Sequence, residues 1–220
     1  MGVELNGLGR IQELMNDVFE NIYSRRSVRN YKPTDVPDDI IRELIKAGTY
    51  APSAVNRQPW RFVVIKNREM ITRLSERAKK LWLDGLDRAG ESLDPQVQRL
   101  ANVMQRPEFN IFYGAPVLIL IFATPRASSH QGAFAEAENI MLIDGCAAAA
   151  ENTMLAARSL GIGSCWIGFG MPLDSDDAIR QELNVPDGFH LMAPLVFGYP
   201  VKDIETAPPR EEDVILKWIM

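Results

Sequence analysis

Two short segments of this sequence carry side chains able to do chemistry on a ligand. The first is Arg25-Arg26-Ser27-Val28-Arg29. Arginines packed this closely make a forked anion site, because each guanidinium can grip a phosphate through parallel N–H donors and the serine adds a short hydrogen bond. The same residues also fit a solvated turn with its charges in water. The second is Ala51-Pro52-Ser53-Ala54-Val55-Asn56-Arg57-Gln58-Pro59-Trp60. Its prolines stiffen a loop that presents a serine and two amides, polar edges that suit a planar ring with carbonyl and imide groups. An ordinary connection between a helix and a strand reads the same way.

Other chemistries lack their residues. Gly161-Ile162-Gly163-Ser164-Cys165-Trp166 begins like a dinucleotide fingerprint. Its third glycine is missing, and the segment leaves a helix rather than opening one. Ser164 has no nucleophile-elbow frame around it. His130 and His190 stand alone, without metal-ligand spacing, so no metal is expected. Cys146 and Cys165 read as small buried hydrophobes. No side chain is assigned as a catalytic acid or base.

Periodicity supplies the elements that must position these segments. Ile11, Leu14, Met15, Val18, Phe19 and Ile22 form one apolar stripe, which predicts a helix from about Gly9 to Tyr23, leading into the arginine turn. A second helix begins near Pro37, with Asp38 and Asp39 in its first turn, and stops before Pro52. Its expected buried face is Ile40, Ile41, Leu44 and Ile45. Trp60–Ile65 reads as a strand. Arg68–Phe109 reads as two charged helices broken at Gly85, Gly90 and Pro95. Val117–Phe122, apolar throughout, reads as a strand buried on both faces. A long helix covers Ala133–Leu160, and its middle, Gly145-Cys146-Ala147-Ala148-Ala149-Ala150, is small enough for other backbones to come close. Strands over Ser164–Ile167 and Leu191–Phe197 bracket a helix over Asp174–Leu183. The tail Glu211–Trp218 is weakly helical in pattern.

The whole chain has 220 residues, 46% hydrophobic and 24% charged, enough for a full core. A net charge of −5 argues against nucleic-acid or polybasic membrane binding. Two cysteines exclude a disulfide framework and point to a reducing compartment. No signal peptide is recognised at the start. The longest apolar run, Ala115–Ala123, is nine residues, against about 20 for a spanning helix. The expectation is a cytoplasmic α+β protein. Residues 1–18 form a helical extension with the start of the first helix, and 19–220 form a single domain.

Together, Arg25–Arg29 and Ala51–Trp60 resemble the FMN-dependent nitroreductase family. Leu160–Gly168 is similar to that family's strand beside the flavin, Ala115-Pro116 with its apolar run to the central sheet, and Phe197-Gly198-Tyr199-Pro200 with Pro208-Pro209-Arg210 to the closing segment. The resemblance spans about Phe19 to Val214. It implies a central, mainly antiparallel sheet flanked by helices, in an intertwined homodimer with FMN at the interface. It also implies roles. Arg25, Ser27 and Arg210 would hold the FMN phosphate, with Arg26 in the same turn, and Arg29 would lie near flavin N1 and the C2 carbonyl. Pro52, Ser53 and Asn56 would reach the partner's flavin, with Gln58 just beyond them in the cofactor-binding loop. Trp166, Ile167 and Gly168 would form the strand end whose backbone N–H faces N5. The Ala133–Leu160 helix would pack on its partner.

The activity implied is hydride transfer from NADH or NADPH, followed by electron transfer to a nitroaromatic, quinone or activated alkene. Segment 81–112 is a candidate lid, with Trp82, Met104 and Phe109 as acceptor contacts. A reductive dehalogenase is a rival within the family. In that branch the lid supplies a Glu, a Tyr and a Lys, and a threonine hydroxyl meets N5. Here 81–112 contains neither Tyr nor Lys, and Ile167-Gly168 offers no hydroxyl. Another specialised branch, or a non-catalytic FMN storage or sensing module, is the remaining alternative.

Overall fold

The computed structural model describes residues 17–89, 94–124 and 133–220. Its centre is strand β2, Val117–Ala123, whose seven residues are all buried. Side chains alternate faces along a strand, and each face of β2 has its own core. Leu118, Leu120 and Phe122 pack with Ile71, Leu74, Met104 and Phe112. Val117, Ile119, Ile121 and Ala123 pack with Leu44, Cys146, Ala149, Ala150 and Met154. The result is a sheet with helices on both sides.

The sheet has the order β1-β2-β4-β3, with β1 at Trp60–Ile65, β3 at Gly163–Trp166 and β4 at His190–Gly198. Every pairing is antiparallel, with Val63 opposite Leu120, Ile119 opposite Leu195 and Cys165 opposite Val196. The β2–β4 register slips between Ile121 and Phe122, where Met192 is the extra residue of a bulge. One face carries α3 (Arg68–Ala89) and α4 (Pro95–Met104). The other carries α2 (Asp38–Thr49) and the long α5 (Ala133–Ser159). Helix α1 is described from Asp17 to Ser24. The predicted start of this helix at Gly9, and the extension before it, lie outside the described residues, as does His130.

Several expectations need correction. Gly85 does not break α3, which runs on to Ala89; a single glycine costs a helix only about 1 kcal/mol. The helix expected over 174–183 is a 3-10 stretch, Gly168–Ser175, followed by α6, Asp177–Glu182. Asp176 separates them by accepting the Ala178 and Ile179 N–H groups. The tail is not helical: residues 201–220 are exposed and form neither helix nor strand. Past Arg210 none of them is buried, and so short a helix does not hold by itself.

The small residues of α5 serve the chain's own core. A side chain on Gly145 would meet Pro59 Cγ at 3.2 Å, and one on Gly48 of α2 would meet the Ala149 carbonyl at 3.2 Å. Only the first part of α5 presents apolar side chains outward: Phe134, Ile140, Met141 and Ile143 are exposed. By length and composition α5 could cross a bilayer, yet Cys146, Ala149, Ala150 and Ala157 are fully buried.

Gly163 decides where the arginine turn lies. A Cβ there would stand 2.9 Å from Val28 Cβ, so its absence lets residues 27–29 rest on β3. Val28 is β-branched and cannot swing aside. Gly163→Ala should therefore destabilise the fold by about 1–3 kcal/mol, read as a lower midpoint in thermal unfolding.

Candidate active site

Helix α1 ends as the Arg25 N–H reaches back to the Asn21 carbonyl at 3.1 Å. Asn21 Nδ2 donates to the Leu155 carbonyl of α5, which fixes the helix direction. The chain then joins the edge of the sheet. Ser27 pairs with Ser164 as a parallel bridge, and the Val28 N–H donates to the Ser164 carbonyl at 2.9 Å. Tyr31 closes the turn, its buried hydroxyl donating to the Val28 carbonyl at 2.6 Å. Burial holds that phenol far above its ordinary pKa, so it stays protonated.

This turn brings Arg25, Arg26, Ser27 and Arg29 together with Arg210 around a cavity of about 350 Å³, completed by Ile204, Thr206 and Pro208. Among the described residues no carboxylate lines it. A lining of four guanidinium groups and two hydroxyls fits an anion such as a phosphate. A neighbouring cavity of about 520 Å³ is larger, but Asp17, Glu20, Asp203 and Glu205 line it and make it hostile to an anion.

The arginines are engaged differently. Arg25 Nε lies 3.3 Å from Glu151 of α5. Arg26 is turned to the backbone and donates to the Tyr23 and Arg25 carbonyls at 2.6 and 2.7 Å. Arg29 stands over the Tyr113 ring, 5.9 Å from its centroid. Among the described residues Arg210 makes no ion pair.

The strand end is also arranged for a ligand. Trp166 is partly exposed, and Ile167 is buried with its N–H committed to the Pro194 carbonyl at 2.8 Å. Gly168 is exposed, and a Cβ there would meet nothing within 4 Å. It opens the 3-10 stretch, where a first N–H has no partner inside the helix. Of the expected trio, Gly168 is the one with open space beside its Cα.

Pro52, Asn56 and Gln58 are exposed on their loop, and none of them, nor Ser53, lines the arginine cavity. The loop is strained: Val55, Asn56 and Gln58 have φ of 46°, 54° and 47°. Such conformations persist only where the surroundings impose them. Here the Ser53 hydroxyl oxygen accepts the Gln58 N–H at 3.0 Å, and Arg57 pairs with Glu138 of α5 at 2.6 Å.

The lid candidates divide. Met104 departs from the expectation, being 1% exposed in the core beneath the sheet; its helical position faces inward. Trp82 meets Phe169 edge to face at 5.6 Å, beside Gly168, and Phe109 meets Tyr113 edge to face at 6.2 Å. Phe169 and Tyr113 were missed in the sequence. Phe169 sits just past the Leu160–Gly168 motif, and Tyr113 just before Ala115-Pro116, so motif flanks were the signal.

The sequence profile of the nitroreductase family matches residues 22–199. An Archaeoglobus fulgidus protein provisionally named NADH dehydrogenase/NAD(P)H nitroreductase is 32% identical over 186 residues, which cover 84% of this chain and 87% of that protein. The crystal structure of a nitroreductase with bound FMN from Bacteroides fragilis superposes with a TM-score of 0.66 at 30% identity, covering 94% of this chain and 98% of that one. The iodotyrosine deiodinase of Nematostella vectensis is 25% identical over 206 residues, 91% of this chain and 75% of that protein.

Neither cysteine is poised for chemistry. Burial pushes the Cys146 thiol up to about 11. Burial also raises Cys165, against the opposing pull of Arg29. At pH 8 the native protein should react slowly with a thiol-specific chromogenic disulfide, and both thiols should react at once after unfolding. Fast labelling of the folded protein would contradict their burial.

Proposed function

The chain belongs to the nitroreductase family, and from that membership we propose that it is an FMN-dependent NAD(P)H oxidoreductase. In this reading it passes electrons to nitroaromatic, quinone or activated-alkene acceptors. The observation that carries it is the cavity where Arg25, Arg26, Ser27 and Arg29 meet Arg210 from the far end of the chain, with no acid among its described lining residues. When bound, FMN supplies a ring that takes hydride at N5 and gives up two electrons. Arg25, Ser27 and Arg210 hold the phosphate. Arg26 braces the turn through its backbone bonds. Arg29 places positive charge where reduction builds negative charge, at N1 and the C2 oxygen. The exposed Gly168 backbone would lie toward N5. Hydride donor and acceptor would use the same face of the ring, and Trp82 and Phe109 at its margin would select the acceptor.

The working unit in this proposal is a homodimer. Its support is apolar surface that the described residues leave exposed: the outward face of α5, Val64 on the edge strand β1, and the arm bearing Val214, Ile215, Leu216, Trp218 and Ile219. Large exposed apolar patches mark interaction surfaces. The strained loop bearing Pro52, Ser53, Asn56 and Gln58 then serves the partner's flavin. Two buried, reduced thiols suit a cytoplasmic setting. The deiodinase relative keeps halotyrosines on the panel of acceptors to try. The missing lid Tyr and Lys and the missing hydroxyl at Ile167-Gly168 favour the general reductase.

Purified protein should be yellow and release FMN. Arg210→Ala and Arg25→Ala each remove a charge-assisted phosphate contact of about 1.5–3 kcal/mol. FMN affinity by fluorescence titration should fall roughly tenfold to a hundredfold. A protein that stays colourless with added FMN would sink the reading. Truncation after Arg210 should shift light scattering from dimer toward monomer and weaken FMN binding with it. A truncated chain that stays dimeric would remove the arm from the interface.

A further inference from the structure

Arg29 differs from the other paired arginines in its partner. Arg25 faces Glu151, Arg57 faces Glu138 and Arg158 faces Asp203. Among the described residues, Arg29 has no carboxylate partner and lies over the Tyr113 ring. A carboxylate would orient the guanidinium and cancel its charge. A ring face orients it and leaves the charge intact.

The ring is itself held in place. Tyr113 has φ of 56°, a left-handed conformation unusual for a bulky residue, and Gly114 follows at 63°. The Tyr113 N–H donates to the Asn110 carbonyl at 2.9 Å, and Phe109 meets the ring edge to face. Two buried polar side chains one turn apart on α3 bolt this loop down. Ser75 Oγ accepts the Ile111 N–H at 3.0 Å. Lys79 Nζ donates to the Phe109 carbonyl at 2.9 Å and the Arg106 carbonyl at 3.0 Å. Ile111 and Phe112 are anchored in the core.

We infer that Tyr113 is the positioning residue of Arg29, a neutral platform that aims the guanidinium at the flavin's N1 edge without neutralising it. The inference rests on the reading of Arg29 given above. The test is anaerobic redox titration of the FMN-loaded protein, with oxidised-FMN affinity measured alongside. Arg29→Met should lower the FMN reduction equilibrium about tenfold, which is about 30 mV for two electrons. Tyr113→Leu should lower it about threefold, the size of a half-exposed cation–π contact. Tyr113→Asn, whose side chain tolerates the left-handed backbone, should do the same and guards against a Leu variant that fails to fold. Tyr113→Phe keeps the ring face and should leave the potential unchanged. In an Arg29→Met background, Tyr113→Leu should add nothing. Unchanged potentials in the Leu and Asn variants, a drop of equal size without Arg29, or a Phe variant that falls as far as Leu would each overturn the inference. An unchanged potential in Arg29→Met would instead remove Arg29 from the ring, and the role of Tyr113 with it.

Discussion

The bond from the Val28 N–H to the Ser164 carbonyl is the contact on which the site depends. It lays the arginine turn along β3, so that the cationic cavity and the Gly168 end share one edge of the sheet. Gly163 permits the approach by having no side chain, and Tyr31 stabilises it by spanning back to the Val28 carbonyl. The sheet beneath is held from both faces, since every residue of β2 is apolar and buried. A rigid platform of this kind can keep several like charges close together. Their mutual repulsion is offset by local partners, and it would fall further on binding an anion.

Those partners sort the arginines by task. Arg25 has a carboxylate at hand and can share itself with a phosphate. Arg26 is spent on carbonyls at the end of α1. Arg29 has a neutral ring, and Arg210 no ion pair among the described residues. Charge that is partnered but not cancelled is what a site needs in order to respond when a ligand gains negative charge. Oriented donors of this kind do their electrostatic work with little reorganisation.

Helix α5 divides in the middle between two duties. From Gly145 onward its small residues let α2 and the 53–59 loop approach, and Thr153, fully buried, returns its hydroxyl to the Ala149 carbonyl at 2.7 Å. Before that point its apolar side chains face outward. Glu138, in this outward part, anchors Arg57 and with it the strained loop. Surface suited to a partner and the loop proposed to serve that partner are thus braced by one ion pair.

Local pattern was enough for much of this. The limits of β1, the continuous burial of β2 and the length of α5 follow from hydrophobic periodicity and β-branching, which act within a few residues. The cationic, anion-suited character of Arg25–Arg29 was legible because residue type and spacing alone define a donor set. Other features had no local signal. The tail lost its helical pattern to the lack of any surface to pack on, and Met104 lost its expected exposure to the orientation of α4. The Tyr113 ring under Arg29 and the arrival of Arg210 join residues separated by as much as most of the chain. Such contacts are decided by how the sheet and its two helical layers close, because burial and charge pairing act between whatever surfaces the fold brings together.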